Sequence, residues 1–297
     1  MIDIDLHLHT HYSDGSESPE DLVARARKEG LRTIAVTDHD GIDGVPAAVK
    51  AGYALGLRVV PGLEFSAEWV LESSGANGEI HTLHILGYGI DLKNDLLDQK
   101  MQKIRNSRAD RNLRLRHAFL EKGISVGQDV LESYSPGGFV GKRSFAETFV
   151  KMGLASNLEE AFASERLMGD PLIRSIRKVK TSAEEAIRII HAAGGKAFLA
   201  HPFQLSYPSL ARDPGGFSDR LALVVRALGD LGLDGVECYY PTHDADRTAY
   251  ALALADRNGM MVSIGSDDHG PNVRKIKKIH SFQVEADLRR LRWVATI

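Results

Sequence analysis

Near its N-terminus the chain contains the stretch His7-Leu8-His9-Thr10-His11-Tyr12-Ser13-Asp14. Residues 2–6, just before it, alternate apolar and acidic side chains, which predicts a half-buried β-strand. Residues two apart on a strand point to the same side, so His7 and His9 could present ring nitrogens to one metal ion. Asp14, in the turn that follows, could add a carboxylate oxygen. The alternative is an exposed strand edge that is rich in histidine by chance.

The length and composition are those of an ordinary soluble globular protein. A chain of 297 residues fits one large α/β barrel or two modest domains, and its hydrophobic and charged contents of 43% and 26% are typical. The net charge of -3 gives no global electrostatic reason to expect duplex DNA or a membrane surface as a partner. The single cysteine, Cys238, excludes internal disulfides and a thiolate-rich zinc site. No run is long enough to span a bilayer and no signal-peptide pattern is present, which predicts a cytoplasmic protein.

Strand and helix signals alternate in both flanks of the chain. A helix is predicted between its cap, Ser18, and Gly30. Apolar runs predict strands at 32–37, 57–60, 81–87, 196–200, 235–239 and 261–265, and helical patterns lie at 45–55, 183–193, 221–231 and 245–258. The middle of the chain has helical periodicity only. We therefore predict a barrel domain of residues 1–91 and 183–297, interrupted by a helical insertion domain of residues 92–182.

Each of seven predicted strands ends in side chains that can titrate or bind a metal. These are His7 and His9, Asp38 and His39, Glu64, His84, His201, Glu237 with His243, and Asp267 with His269. In a barrel of parallel strands all these ends meet on one face, where barrel enzymes build their active sites. His81, three residues before His84, is predicted to point to the other face of its strand.

These motifs resemble those of the PHP (polymerase and histidinol phosphatase) family of metal-dependent phosphoesterases. They occur in the family's order: His-Leu-His at 7–9, Ser-Asp-Gly at 13–15, Thr-Asp-His-Asp at 37–40, Gly-Leu-Glu at 62–64, His-Ile-Leu-Gly at 84–87, Ala-His-Pro at 200–202 and Gly-Ser-Asp-Asp-His at 265–269. The resemblance implies an α/β fold, a distorted TIM-like (β/α)7 barrel. Within the family the chain is most similar to stand-alone enzymes that hydrolyse 3',5'-bisphosphonucleotides and trim short RNA from the 5' end. These share its length, its helical insertion and the Asp at position 14.

The resemblance also implies two or three divalent metal ions. His7, His9, Glu64 and Asp267 would hold the first, Glu64, His84 and His201 the second, and Asp14, His39 and His269 the third. Imidazoles and carboxylates without thiolates suit Mn, Zn or Fe and do not choose sharply among them.

Phosphoester hydrolysis at such a centre proceeds by attack of a metal-activated hydroxide on phosphorus, without a covalent protein intermediate. Asp38 is a candidate catalytic residue that would orient a ligand imidazole or the hydroxide. His243, in the loop after a strand, is a candidate donor to the phosphate or to the leaving oxygen. The alternative for His243 is a satisfied surface histidine.

Substrate binding is expected to involve the insertion. Arg143 and Lys142 follow a glycine-rich turn at 135–138, and a guanidinium group can bind phosphate in bidentate fashion. The alternative is a solvated loop end. The basic residues from Arg105 to Arg116 recur on all sides of a predicted helix, so a solvated face is favoured there over a stripe that binds RNA.

Together these features predict a phosphoesterase that removes the 3'-phosphate of 3',5'-bisphosphonucleotides, with trimming of short RNA from the 5' end as a second activity. Its partner would be a small nucleotide or short RNA, with no duplex DNA and no membrane, and we expect a monomer. The alternatives are a phosphatase of another small metabolite, such as histidinol phosphate, and a non-catalytic metal-binding module. Amide hydrolysis is disfavoured because amidohydrolases with an opening His-x-His typically place a lysine where this chain has Glu64.

Overall fold

One eight-stranded sheet organises the chain. The computed structural model describes residues 2–71, 79–205, 217–271, 273 and 278–297. Its strands are β1 (Ile4–Leu8), β2 (Thr33–Val36), β3 (Arg58–Leu71), β4 (Glu79–Tyr88), β5 (Thr181–Ser182), β6 (Lys196–Leu199), β7 (Gly235–Tyr239) and β8 (Met261–Ile264). Seven of them follow one another in the order β1-β2-β3-β4-β6-β7-β8, and the short β5 pairs with β3.

The two ends of this seven-strand path meet. Leu8, at the end of β1, forms a parallel bridge with Asp268, which follows β8. The N–H of His9 donates to the Asp268 carbonyl at 2.9 Å. The sheet therefore curls back on itself, and the segments after β1 and β8 lie side by side.

Strand β4 runs against its neighbours. It pairs antiparallel with β3, from Gly62 opposite Tyr88 to Leu71 opposite Glu79, and antiparallel with β6. The remaining pairs along the path are parallel. The expectation of a wholly parallel barrel is therefore wrong for β4. The reason is the connection from β3, which has too few residues for the crossover that a parallel neighbour needs.

Helices flank the sheet and form the insertion. They are α1 (Pro19–Lys28), α2 (Val45–Leu55), α3 (Asp95–Glu121), α4 (Gln128–Ser133), α5 (Lys142–Lys151), α6 (Leu158–Ala163), α7 (Pro171–Ser175), α8 (Ala183–Ala192), α9 (Phe217–Asp230) and α10 (Ala245–Arg257). Helix α1 begins as predicted, because the Ser18 hydroxyl accepts a hydrogen bond from the Asp21 N–H at 3.1 Å. No described helix is both long and apolar enough to cross a membrane.

The helices α4 to α6 pack with the C-terminal half of α3 around an apolar cluster of their own. Its largest members are Phe119, Phe145 and Phe149, all fully buried. The barrel strands and their covering helices bury separate clusters. Two basic residues of α3 depart from the sequence-based expectation of a solvated face, since Arg108 and Arg111 are buried. The assignment of 92–182 as a domain stays a prediction.

Candidate metal centre

The nine side chains predicted as metal ligands come together at one end of the sheet. They are His7, His9, Asp14, His39, Glu64, His84, His201, Asp267 and His269. They come from β1 and the turn after it, from the segments after β2, β6 and β8, and from the interiors of β3 and β4. Because β4 is antiparallel, its C-terminal end points away from the cluster. His84 contributes to the cluster from the middle of the strand.

Glu64 lies at the middle of the cluster. Its Oε1 is 2.9 Å from His84 Nδ1 and 3.1 Å from His201 Nε2. Its Oε2 lies 2.8, 3.3 and 3.4 Å from ring nitrogens of His39, His9 and His7. Burial opposes ionisation, but His39, His84 and His7 outweigh it and hold the pKa of Glu64 well below its usual value. An ionised carboxylate placed among five imidazoles can bridge metal ions.

The opening histidine pair contacts the carboxylate of Asp267. Asp267 Oδ1 lies 3.2 Å from His9 Nε2 and 3.7 Å from His7 Nε2. Burial and the neighbouring His269 and His39 lower the pKa of His9 well below its usual value. This shift favours the neutral His9 imidazole, the form that binds a metal. Despite burial, Glu237 raises the pKa of His7 and Glu64 raises that of His39, so bound ions would have to displace protons there.

Asp14 lies on the other side of His9. Its Oδ1 is 3.0 Å from His269 Nε2 and 3.7 Å from His39 Nε2, and His9 offers a nitrogen to the same group. Burial opposes ionisation, but the neighbouring His39 and His269 lower the pKa of Asp14 strongly. His9 is therefore placed between two groups of ligands.

The chemistry of these side chains fits divalent ions. Ligand atoms that share an ion at 2.0–2.2 Å stand about 2.8–3.6 Å apart in tetrahedral or octahedral geometry, by trigonometry from usual bond lengths. The separations above run from 2.8 to 3.7 Å, close to this range. Moreover, the buried Nε2 atoms of His7, His9 and His269 and Oε2 of Glu64 make no well-aligned hydrogen bond with the described residues, although the neighbouring ligand atoms lie close to them. A bound ion would satisfy these atoms, which are costly to bury alone.

Glu237 supports two of the histidines. Its Oε1 accepts from His7 Nδ1 at 2.9 Å, and its Oε2 accepts from the His201 N–H at 2.7 Å. A proton on Nδ1 leaves Nε2 of His7 free to bind an ion. Glu237 thereby fixes both the tautomer of one ligand and the backbone of another.

The backbone around the centre adopts unusual conformations. His201 and Asp267 have φ angles of 27° and 53°, in the region that favours glycine, as does Asp40 with 51°. At Gly265 a Cβ atom would lie 2.2 Å from the Cβ of His7 and 2.4 Å from Glu237 Oε1. Gly265 therefore allows β8 to approach β1 closely enough to bring Asp267 to the opening pair.

Asp38 is buried beneath the turn that carries the first ligands. It accepts hydrogen bonds from the Thr10 N–H at 2.8 Å, from Thr10 Oγ1 at 2.7 Å and from Ser13 Oγ at 2.5 Å. Ser13 Oγ lies 3.4 Å from His9 Nδ1. The structure thus connects Asp38 to His9 through Ser13. Burial raises the pKa of Asp38 despite these hydrogen bonds.

His243 is fully buried beside the centre, between Phe203 and Tyr240. Its Nδ1 lies 2.9 Å from the Cys238 carbonyl, to which it donates. Burial lowers the pKa of His243, so the ring is neutral and its Nε2 can accept a proton or bind an ion. Because the single proton of the neutral ring is on Nδ1, Nε2 would have to gain a proton before it could donate to the phosphate, and that role stays a prediction.

Arg143 and Lys142 lie at the start of α5 but face different cavities. Arg143 lines a cavity of about 200 Å³ together with Asp14, His11 and Glu147. Its Nε donates to Glu147 Oε1 at 2.8 Å. Lys142 lines a second, basic groove. The cavity next to the ligand Asp14 therefore contains the first of the two predicted substrate-binding residues and not the second.

Sequence reasoning missed three contributors to the centre. The sequence marks Glu237 only as a titratable strand end, and its pairing with His7 joins residues 230 positions apart. Tyr240 donates to Asp267 Oδ2 at 2.7 Å. Arg25 binds Asp268, between two ligands, at 2.7 Å. Long-range contacts of this kind leave no local signal. The predicted orientation of the His81 side chain lies outside the described residues.

Comparison with known proteins identifies the family. A model of the PHP domain matches residues 5–118. The 5'-3' exoribonuclease Rnm of Escherichia coli is 31% identical over 272 residues, which cover 90% of this chain and 85% of that protein. The chain belongs to the PHP family.

Other PHP-related proteins extend the similarity along the chain. A 3',5'-nucleoside bisphosphate phosphatase of Chromobacterium violaceum is 29% identical over 275 residues, covering 91% of this chain and 88% of that protein. A solved structure from the same organism, described as an amidohydrolase with bound sulfate and no metal, has a TM-score of 0.74 and 27% identity, covering 91% of this chain and 89% of that one. The predicted PHP fold and the prediction of a phosphoester hydrolase are confirmed.

Proposed function

We propose that this PHP protein removes the 3'-phosphate of 3',5'-bisphosphonucleotides, and that it also releases nucleotides from the 5' end of short RNA. The observation that carries the proposal is the cavity beside the metal centre, because Asp14 and Arg143 line it together. A scissile phosphate at the ligand cluster and a second phosphate on the guanidinium group would occupy the two ends of this cavity.

The arginine distinguishes among small phosphoesters. Histidinol phosphate carries an imidazole ring at the end remote from its phosphate and has no second anionic group, whereas a bisphosphonucleotide carries a second phosphate. A guanidinium group favours the anion, to which it can donate two parallel hydrogen bonds. Among the described residues Glu147 is the carboxylate that pairs with Arg143, and it occupies Nε only. The terminal amino groups can therefore serve the substrate.

The other residues of the centre would have separate roles in the reaction. When bound, two or three divalent ions would polarise the phosphate and a water molecule. The exposed side chains indicate the side from which a substrate can reach the centre. Asp14 and His84 are 26% and 25% exposed, whereas His7 and His9 are fully buried. The substrate would enter over Asp14 and His84. Asp38 would keep the turn of His9 in place, and His243 would offer its Nε2 near His201.

The test is phosphate release by the purified, Mn-supplemented protein. Adenosine 3',5'-bisphosphate is compared with AMP, histidinol phosphate and a 5'-phosphorylated RNA trinucleotide. The expected result is fastest turnover of the bisphosphate with AMP as product. Faster turnover of histidinol phosphate would contradict the substrate assignment and leave the metal chemistry intact. No turnover of any substrate by protein with bound metal would favour the non-catalytic alternative.

The proposal also covers the identity and number of the metal ions, the oligomeric state and the location of the protein. Mn, Zn and Fe all suit the ligand set, and two or three ions can be held by the groups described above. A cytoplasmic monomer that acts on small nucleotides or short RNA, without duplex DNA or membrane as partner, stays the predicted state. Elemental analysis of the purified protein identifies the metals, and the mass of the protein in solution gives its oligomeric state.

A further inference from the structure

A groove with six cations is separate from the Arg143 cavity, and Lys142 at the start of α5 lines it. It encloses about 370 Å³, and Thr82 completes its lining. Its cations are Arg111, Lys142, Arg174, Arg177, Lys178 and Lys180. They come from α3, α5, α7 and the segment that leads from α7 to β5. We call this feature the basic groove.

Carboxylates balance only part of this charge. Lys178 pairs with Asp40, and Lys180 lies 3.2 Å from Glu68. The other four cations have no ion pair with a described carboxylate. Arg111 is 6% exposed, and its Nε has no hydrogen-bond partner among the described residues. A buried guanidinium group without an acceptor or a carboxylate partner is costly, and an anion in the adjoining groove would reduce that cost.

The unbalanced cations are close enough to repel one another. Burial lowers the pKa of Lys142, and Arg111, Arg177 and Arg174 lower it further. Burial together with its basic neighbours on α3 lowers the pKa of Arg111 to about 10. An anion in the basic groove would relieve this repulsion.

The basic groove adjoins the metal centre on its His84 side. Thr82 and His84 lie two residues apart on β4 and therefore on the same face, about 7 Å apart along the strand. Lys180 Nζ donates to the Thr82 hydroxyl at 2.8 Å. The Arg143 cavity adjoins the centre at Asp14. The Arg143 cavity therefore reaches the centre at Asp14, and the basic groove lies near it at His84.

We propose that the basic groove binds the phosphodiester backbone of single-stranded RNA on the 3' side of the scissile bond. This inference rests on the proposed function. In a bisphosphonucleotide, both phosphates are already assigned to the centre and to Arg143. Only a longer substrate has further phosphates to place, and they must leave the centre on the side away from the 5' end. The basic groove offers arginines, which bind phosphates in bidentate fashion, at that side.

The test compares substrates of different length in one charge-reversal variant. Arg174→Glu/Arg177→Glu changes two exposed residues of the basic groove. Arg166→Glu/Arg188→Glu is the matched control, because both of these arginines are exposed and outside the groove. For a 5'-phosphorylated RNA pentamer, kcat/KM should fall about tenfold or more, since an arginine that binds one phosphate strengthens binding up to a few-fold and charge reversal adds repulsion. Turnover of adenosine 3',5'-bisphosphate should stay within about twofold of wild type. An unchanged pentamer rate, or equal losses for both substrates, would refute the proposal.

A binding experiment separates this inference from the proposed function. The Mn-loaded wild type and the same variants are titrated with a fluorescent, phosphorothioate-linked RNA pentamer at several salt concentrations. The log–log salt slope should be shallower by roughly 0.7 for each phosphate group that the variant no longer binds. If the variant shows this shallower slope but the wild-type protein turns over none of the substrates, RNA binding by the basic groove is supported and the proposed function is refuted. An identical slope in wild type and variant, or equally tight binding of a polyglutamate peptide, would overturn the assignment to RNA.

Discussion

The substitution Glu237→Gln tests whether an outer carboxylate sets metal affinity. Glu237 accepts two hydrogen bonds, from His7 Nδ1 at 2.9 Å and from the His201 N–H at 2.7 Å. A glutamine has one acceptor oxygen, so one of these donors would face an amide N–H₂ group. If the His7 donor loses its acceptor, the imidazole proton moves to Nε2 and blocks the nitrogen that faces the ligand cluster. In the other orientation, the N–H that fixes His201 is left unpaired.

The size of the effect follows from this unpaired donor. A buried donor without an acceptor costs about 1–3 kcal/mol, and loss of an outer carboxylate typically weakens metal binding about 10–100-fold. We therefore expect Mn affinity to fall by that factor, with kcat largely restored at saturating Mn. Titration calorimetry with Mn measures the first quantity, and phosphate release across a Mn series measures the second. Glu285→Gln, a change at an exposed carboxylate, is the control. Mn affinity within twofold of wild type would refute the reasoning.

Three further substitutions probe the centre, the cavity and the fold. His9→Ala should lose bound metal and activity together, as measured by elemental analysis and phosphate release, and an active protein with full metal content would contradict the role of His9 between two ligand groups. Arg143→Ala should lower kcat/KM for the bisphosphate at least tenfold, since a charge-assisted hydrogen bond contributes about 1.5–3 kcal/mol, while metal content stays intact; normal kinetics would disprove phosphate binding there. Arg25→Met leaves the carboxylate of Asp268, 1% exposed, without its cation, and should cost about 3–5 kcal/mol, a fall in Tm of roughly 6 °C or more. Arg32→Met, at an 80% exposed side chain, should change stability by less than about 0.5 kcal/mol, and equal losses in the two variants would rule out the buried ion pair as the cause.

Local patterns predicted that most residues of the cluster lie at strand ends, whereas their assignment as metal ligands was implied by the family resemblance. Residues two apart on a strand share a face, so the pairing of His7 with His9 could be predicted from their spacing alone. Asp267 and His269 follow an apolar run at its end, which predicted their position at the edge of the sheet. The structure brings all four together with the other predicted ligands.

Features that depend on distant contacts could not be predicted in this way. The direction of β4 depends on the length of its connection to β3, and the sequence motif around His84 is the same for either direction. Consecutive residues Lys142 and Arg143 are equally basic, yet the helix start separates them into two cavities. The partners of Glu237 and Arg25 depend on how the two ends of the sheet come together.

The parallel bridge between Leu8 and Asp268 has a consequence for the order of events during synthesis. The first ligand group joins His7 and His9 to Asp267, so it spans nearly the whole chain. A nascent chain that has emerged only to β6 contains Glu64 and His84 but cannot assemble that group. Contacts between such distant positions also carry a large loop-closure entropy cost, which slows folding. With the proposed ligands, full metal loading would therefore require that the last strand has been made and lies beside the first.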